Sequence, residues 1–196
     1  MPVHVPTPPP ALADLLSENL AVVFCGINPG LRAAATGHHF DGANNRFWRV
    51  LHLAGFTPMQ IRPADDRDLL AYGCGLTTAV GRPTARADQL SRQELLDSAM
   101  ALRQKIQRYR PAHIAFLGKA AYAAISGQRQ VLWGRQAEPF GGAQAWVLPN
   151  PSGLNRLFSV DDLVGAYRAL VAATSPTPPP MPTPAPGTLT GRPCGS

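Results

Sequence analysis

The sequence predicts an α/β domain of three-layer α/β/α type, built on a central, short, mainly parallel sheet. Three observations carry that reading. Apolar runs of strand length recur along the chain, and most are closed by glycine or proline. Segments with apolar residues at helical spacing fall between them. With 196 residues, 45% of them hydrophobic, the chain is long enough for one domain with a real core. Strands alternating with helices imply a parallel sheet covered on both faces, with its site beyond the carboxyl ends of the strands.

The elements follow in order. "LAVVFCG" (residues 20–26) is a short apolar run closed by glycine, hence a buried strand. "NNRFWRVLHLAGF" (44–56) places Phe47, Val50, Leu51 and Ala54 at helical spacing, and Gly55 can cap its end. "DDRDLLAYG" (65–73) is a second helix, and "CGLTTAV" (74–80) a short strand running into a loop. The segment 91–111 opens with Ser91 and has Glu94 three residues on, a capping box. It carries Leu95, Ala99, Leu102 and Ile106 along one face and stops before Pro111. "HIAFLG" (113–118) is another buried strand, followed by the helix "KAAYAAISG" (119–127). "AWVLP" (145–149) is the last strand and "VDDLVGAYRALVAA" (160–173) the closing helix.

The predicted domain runs from about Ala11 to about Ala173, without an internal repeat. Proline marks both ends: of 21 prolines, five lie between Pro2 and Pro10 and eight between Pro176 and Pro193. Residues 1–10 and 174–196 have almost nothing to bury, so they read as disordered, proline-rich tails.

Formal net charge is +6, from 18 basic and 12 acidic residues, and Lys105 and Lys119 are the only lysines. Arginine suits bidentate contacts to phosphate, so an acidic partner such as nucleic acid fits the balance. Coding bias in a GC-rich genome would raise arginine, alanine and proline as well. No apolar run approaches the ~18 residues of a membrane helix, and "MPVHVPTPPP" has neither a basic start nor an apolar stretch of a signal peptide. A cytosolic protein without a membrane partner is expected. Cys25, Cys74 and Cys194 are too few and too scattered for a disulfide framework or an iron–sulfur cluster.

The strand-end rule singles out the loops after Cys25, Val80, Leu117 and Leu148. "GINPG" (26–30) follows the first, "GK" (118–119) the third and "PNPSGLNR" (149–156) the last. Glycine lets backbone approach a ligand closely, and Pro29 and Pro151 stiffen the turns. Asn-Pro and Pro-Ser-Gly are also ordinary turn chemistry, but two stiffened Asn-Pro loops at one sheet edge favour a preorganised site.

Five stretches carry a resemblance: "VFCGINPGL" (23–31), "GHHF…NRFW" (37–48), "GRPT" (81–84), "LGKAAY" (117–122) and "WVLPNPSGLNR" (146–156). In order and spacing they resemble the mismatch-specific uracil/thymine DNA glycosylases, the MUG/TDG branch of the uracil-DNA glycosylase superfamily. The resemblance spans roughly Leu20 to Leu170. It implies a uracil-DNA glycosylase-like fold and a monofunctional enzyme that flips uracil out of mismatched duplex DNA and hydrolyses its N-glycosidic bond. It also implies a role for each loop. Asn28 holds the attacking water. Ile27, Gly30 and Ala33 line the base pocket, and Phe40 stacks on the flipped base. Gly118 and Lys119, at a helix N-terminus, can hold a phosphate. Asn150, Ser152 and Gly153 form the wedge loop, Leu154 is its plug, and Asn155 and Arg156 reach the opposite strand.

The chemistry fits the residues. Cleavage expels the base as an anion and leaves an oxocarbenium-like sugar. Backbone donors of the glycine-rich turn can meet the base O2. A late, dissociative step needs an oriented water more than proton removal, so an amide suffices. The chain departs from its relatives at Ala33, where serine is common, and at Thr78, where lysine is. Small Ala33 leaves room near the base 5-position, as in the thymine-active branch. Asp88, in the loop after "GRPT", and Asp41, beside Phe40, are candidate carboxylates near the water, with Asp88 ranked first. Either also reads as a solvated loop residue. His38 and His39 could contact the pocket or phosphates but show no metal-ligand pattern.

No metal or cofactor is expected. The expected partners are double-stranded DNA with G·U or related mismatches, and single-stranded uracil DNA. The protein is expected to act as a monomer, associated with the bacterial nucleoid through DNA. A non-catalytic DNA-lesion binder on the same fold is the alternative. A phosphate-binding α/β protein would need G-x-x-x-x-G-K-[ST] or G-x-G-x-x-G, and neither occurs.

Overall fold

The computed structural model describes residues 12–174. The expected tails lie outside them, except Thr174, which closes the last helix. Five strands form one sheet: β1 (Val22–Gly26), β2 (Cys74–Thr78), β3 (His113–Leu117), β4 (Gly134–Arg135) and β5 (Gln144–Leu148), in spatial order β2-β1-β3-β5-β4. All neighbours are parallel except the edge pair β4–β5. The register sets Gly26 opposite Thr78 and Leu117 opposite Leu148, so the loops that follow open at one edge.

Side chains alternate across β1 because successive residues of a strand face opposite ways. Val22 and Phe24 enter one core with α2 (Phe47–Ala54) and α5 (Val160–Thr174). Val23 and Cys25 enter the other with α3 (Arg92–Tyr109) and α4 (Lys119–Ser126). This is the three-layer arrangement predicted from the sequence. Ser91 and Glu94 form the capping box at the start of α3: Glu94 N–H donates to Ser91 Oγ at 3.2 Å, and Ser91 N–H to Glu94 Oε2 at 2.8 Å.

Four elements differ from expectation. A short helix, α1 (Leu31–Thr36), follows "GINPG" and ends at Gly37 with φ +76°. The segment Pro63–Tyr72 is 3₁₀ rather than α, with a break at Asp65. Helix α2 begins at Phe47 rather than near Asn44, because Asn45 Oδ1 accepts the Phe47 N–H at 3.0 Å. Strand β4 is only two residues long. Cys25 and Cys74 are buried, and burial pushes both thiols up to about 12, so neither is a nucleophile at neutral pH. No helix among the described residues is long and apolar enough to cross a membrane.

Candidate active site

The loop after β1 is held by an extension of the β1–β2 pairing. Ala79 N–H donates to Gly26 O at 2.9 Å, Val80 N–H to Ile27 O at 3.0 Å, and Thr84 N–H to Pro29 O at 3.1 Å. Asn28 therefore stands on a backbone zipped to the "GRPT" segment. Its amide nitrogen donates to Thr84 Oγ1 at 2.7 Å, to Arg82 O at 2.9 Å and to Pro29 O at 3.2 Å. Two of these acceptors are carbonyls, which cannot donate, so the flip of the amide is settled. Thr84 in turn donates its hydroxyl to Arg86 O at 2.8 Å. Asn28 Oδ1 is left as an acceptor beside the open space.

That space is a cavity of about 700 Å³ at the carboxyl edge of the sheet. Three strand-end loops and one strand end contribute: Ile27, Asn28, Gly30 and Ala33 after β1; Thr84 and Asp88 after β2; Leu117, the last residue of β3; and Asn150, Ser152, Leu154 and Asn155 after β5. Phe40 and Asp41 close one side. The Phe40 ring stacks on Phe47, with centroids 3.8 Å apart and planes 19° apart, so α2 backs the ring. The ring packs over the Gly26 backbone, where a Cβ would lie 3.7 Å from Phe40 Cζ, in ordinary contact. The first N–H groups of α1, at Leu31 and Arg32, have no carbonyl one turn back within the helix, and both residues line the cavity.

The carboxylates fall differently. Asp88 lines the cavity, but its oxygens take a three-contact fork from Arg86, the shortest at 2.7 Å. Hydrogen bonding from Arg86 holds its carboxyl below the usual range. Its side chain is 63% exposed, so this pairing is a weak brace. Asp41 pairs with Arg32 at 3.1 Å. His39 is buried, with its ring Nε2 2.8 Å from Ala13 O and its N–H on Asp66 at 2.9 Å. Burial lowers its pKa and keeps it neutral, as suits a structural tie behind the pocket wall. His38 Nδ1 is buried without a hydrogen bond, 3.6 Å from Asp66. No group of three or more potential metal ligands occurs among the described residues.

Gly118, Lys119, Gly153 and Arg156 do not line the cavity. Gly118 caps α4 with φ +124°, and Lys119 Nζ sits 4.6 Å over the Trp133 ring. Gly153 spends its bare Cα inside the protein: a Cβ there would lie 2.5 Å from both Cβ and O of Asn44. The Asn155 amide donates to Asn150 O at 2.9 Å, which braces the loop. Leu154 stands out at 71% exposure and Leu157 at 89%, on an otherwise internally bonded loop. Two residues with evident structural roles carried no sequence signal as site residues, Thr84 and Arg46. Thr84 works through its hydroxyl, which accepts from the Asn28 amide, and Arg46 through backbone carbonyls. "GRPT" and "NRFW" were visible as motifs, but not what their polar side chains grip.

Comparison with known proteins agrees with this architecture. The solution NMR structure of a candidate uracil DNA glycosylase from Methanosarcina acetivorans superposes with a TM-score of 0.56 at 19% identity, covering 83% of this chain and 98% of that one. That likeness concerns the fold. The family model of the uracil DNA glycosylase superfamily matches residues 13–170, which take in the whole sheet and every loop of the cavity. The chain belongs to the uracil DNA glycosylase superfamily.

Proposed function

We propose that the protein is a monofunctional, mismatch-directed DNA glycosylase of the MUG/TDG branch, which flips uracil from duplex DNA and hydrolyses its N-glycosidic bond. The observation that carries this reading is the Asn28 amide, pinned by its nitrogen and open at its oxygen in a cavity built by the loops after β1, β2 and β5. In this reading the bond from C1′ to the base nitrogen breaks with both electrons going to the base. Unpaired N–H groups at the start of α1 receive the charge that builds on the base O2. Asn28 Oδ1 accepts a hydrogen bond from water and aims its lone pair at the cationic C1′. Water adds, its proton leaves to solvent, and an intact abasic site remains. Phe40 offers a backed aromatic face to the flipped base.

Branch assignment rests on further residues. Buried Ala33 puts only a methyl group on the cavity wall, and Thr78 carries no charge there, so thymine and other 5-substituted pyrimidines fit the same site. A mismatch lowers the cost of flipping, which favours G·U over A·U. Asp88 is proposed as a second group near the water. Gly118 and Lys119 are proposed as phosphate contacts, and Asn155 and Arg156 as the residues that reach the opposite strand.

Product analysis tests the proposal. Strands should break only after alkali, and cleavage should survive excess chelator. Direct incision, or loss of activity with chelator, would contradict it. Thr84 offers a second check. Thr84→Val keeps the shape but removes the acceptor for the Asn28 amide, and should slow base release about tenfold, the worth of one such hydrogen bond. Thr84→Ser should stay close to wild type. Equal rates in Thr84→Val and wild type would show that Asn28 needs no such support.

A further inference from the structure

The loop between β5 and α5 poses a mechanical problem. An apolar side chain can enter base-paired DNA only if the loop carrying it resists being pushed back. Here the apex residue Leu154 is 71% exposed and is not packed into either hydrophobic core. Its stiffness must come from beneath.

Arg46 lies there. Its guanidinium reaches four backbone carbonyls of this one loop. Nε donates to Pro151 O at 3.2 Å, Nη2 to Ser152 O at 3.1 Å and to Asn155 O at 2.8 Å, and Nη1 to Phe158 O at 2.7 Å. The Arg46 backbone N–H also donates to Pro151 O at 3.1 Å. These acceptors bracket Leu154 on both sides. Gly153 completes the seat by pressing its bare Cα against Asn44, two residues before Arg46. Arg46 itself is fixed, because it caps α2, a helix of the main core, and its carbonyl accepts the Val50 N–H at 2.8 Å.

Only a planar fork with several donors can span carbonyls from position 151 to 158 at once, and lysine offers a single point. Arg46 lines no part of the cavity, so it holds neither the base nor the water.

We infer that Arg46 is the positioning residue that holds the 150–158 loop in the shape with which Leu154 enters duplex DNA. The inference rests on the glycosylase reading but places its effect on strand entry rather than on bond cleavage. Its charge is met by the four carbonyl dipoles, and no ion pair of Arg46 occurs among the described residues.

The experiment compares wild type, Arg46→Lys and Arg46→Met under single turnover on uracil in single strands and in A·U duplex. Amide hydrogen exchange of residues 150–158 is followed in the free proteins. Fluorescence of 2-aminopurine placed beside the uracil reports unstacking without any need for cleavage. The single-strand rate should stay within about threefold of wild type, as for a substitution outside the site. The duplex rate and the fluorescence rise should fall about tenfold or more in Arg46→Met, and less in Arg46→Lys. Exchange in the loop should quicken in the same order. Equal loss on both substrates would overturn the inference, since Arg46 would then serve the base pocket or the fold at large. An unchanged duplex rate with a loosened loop would overturn it too. If wild type cleaves neither substrate, the glycosylase reading fails, and exchange and fluorescence still decide what Arg46 does. Should Arg46→Met fail to fold, Arg46→Lys, which keeps the stem and the charge, carries the comparison.

Discussion

Asn28→Ala is expected to slow single-turnover base release by about 10²–10⁴-fold, the range for a group that positions a reacting water or proton. The expectation follows from the geometry of its amide. Its nitrogen is engaged by Thr84 Oγ1 and two carbonyls, which leaves Oδ1 with no hydrogen bond among the described residues. Affinity for uracil DNA should barely change, because in the proposed mechanism the side chain meets water and not phosphate. Asn28→Asp should not restore the rate, since a carboxylate would set an acceptor against the carbonyls of Arg82 and Pro29. Asp88→Ala, measured beside it, separates the two candidates. A slower rate with a flattened acid limb would place Asp88 at the water. A change under about threefold, usual for exposed side chains, would leave Asn28 as the only water-holder. Full activity in Asn28→Ala would overturn the mechanism.

Leu154→Ala is the other large effect. Flipping a paired base costs a few kcal/mol, and a side chain filling the gap offsets part of it. Truncating the plug should cut the rate on A·U duplex about tenfold, less on a G·U mismatch that opens more easily, and hardly at all on single-stranded uracil, where no stack needs filling. Leu154 is exposed and belongs to neither core, so the fold should not suffer. The substrate ratio therefore reads the wedge itself. Equal losses on single and double strands would remove Leu154 from that role.

Much of this was legible in the sequence because two kinds of signal are local. Continuous apolar runs such as "HIAFLG" have no period to misread, and their buried pattern in β3 follows from a sheet covered on both faces. The capping box at Ser91 is written in neighbouring residues. The cavity loops were legible for a topological reason: parallel strands send their carboxyl ends to one edge, where "GINPG" and "NPSGL" meet.

What stayed hidden depends on contacts distant in sequence. Helix α1 is six residues long and starts straight after a Pro-Gly turn, too short for periodicity to show. The two residues of β4 pair only because β5 passes alongside. Thr84 accepts from the side-chain amide of Asn28, 56 residues away, and Arg46 donates to carbonyls as far as Phe158, 112 residues away; neither pairing leaves a mark in a sequence. Gly153 reads from sequence as room for DNA, yet its space is taken by Asn44, 109 residues earlier in the chain.

The most direct test of the central claim is release of free base from a G·U duplex by the wild-type protein in excess, with chelator present and the base measured by chromatography. The expected result is one equivalent of uracil per duplex, with an intact abasic strand and a far slower release by Asn28→Ala. Tight binding to the mismatch with no uracil released would contradict the claim and leave a lesion-binding protein on the same fold.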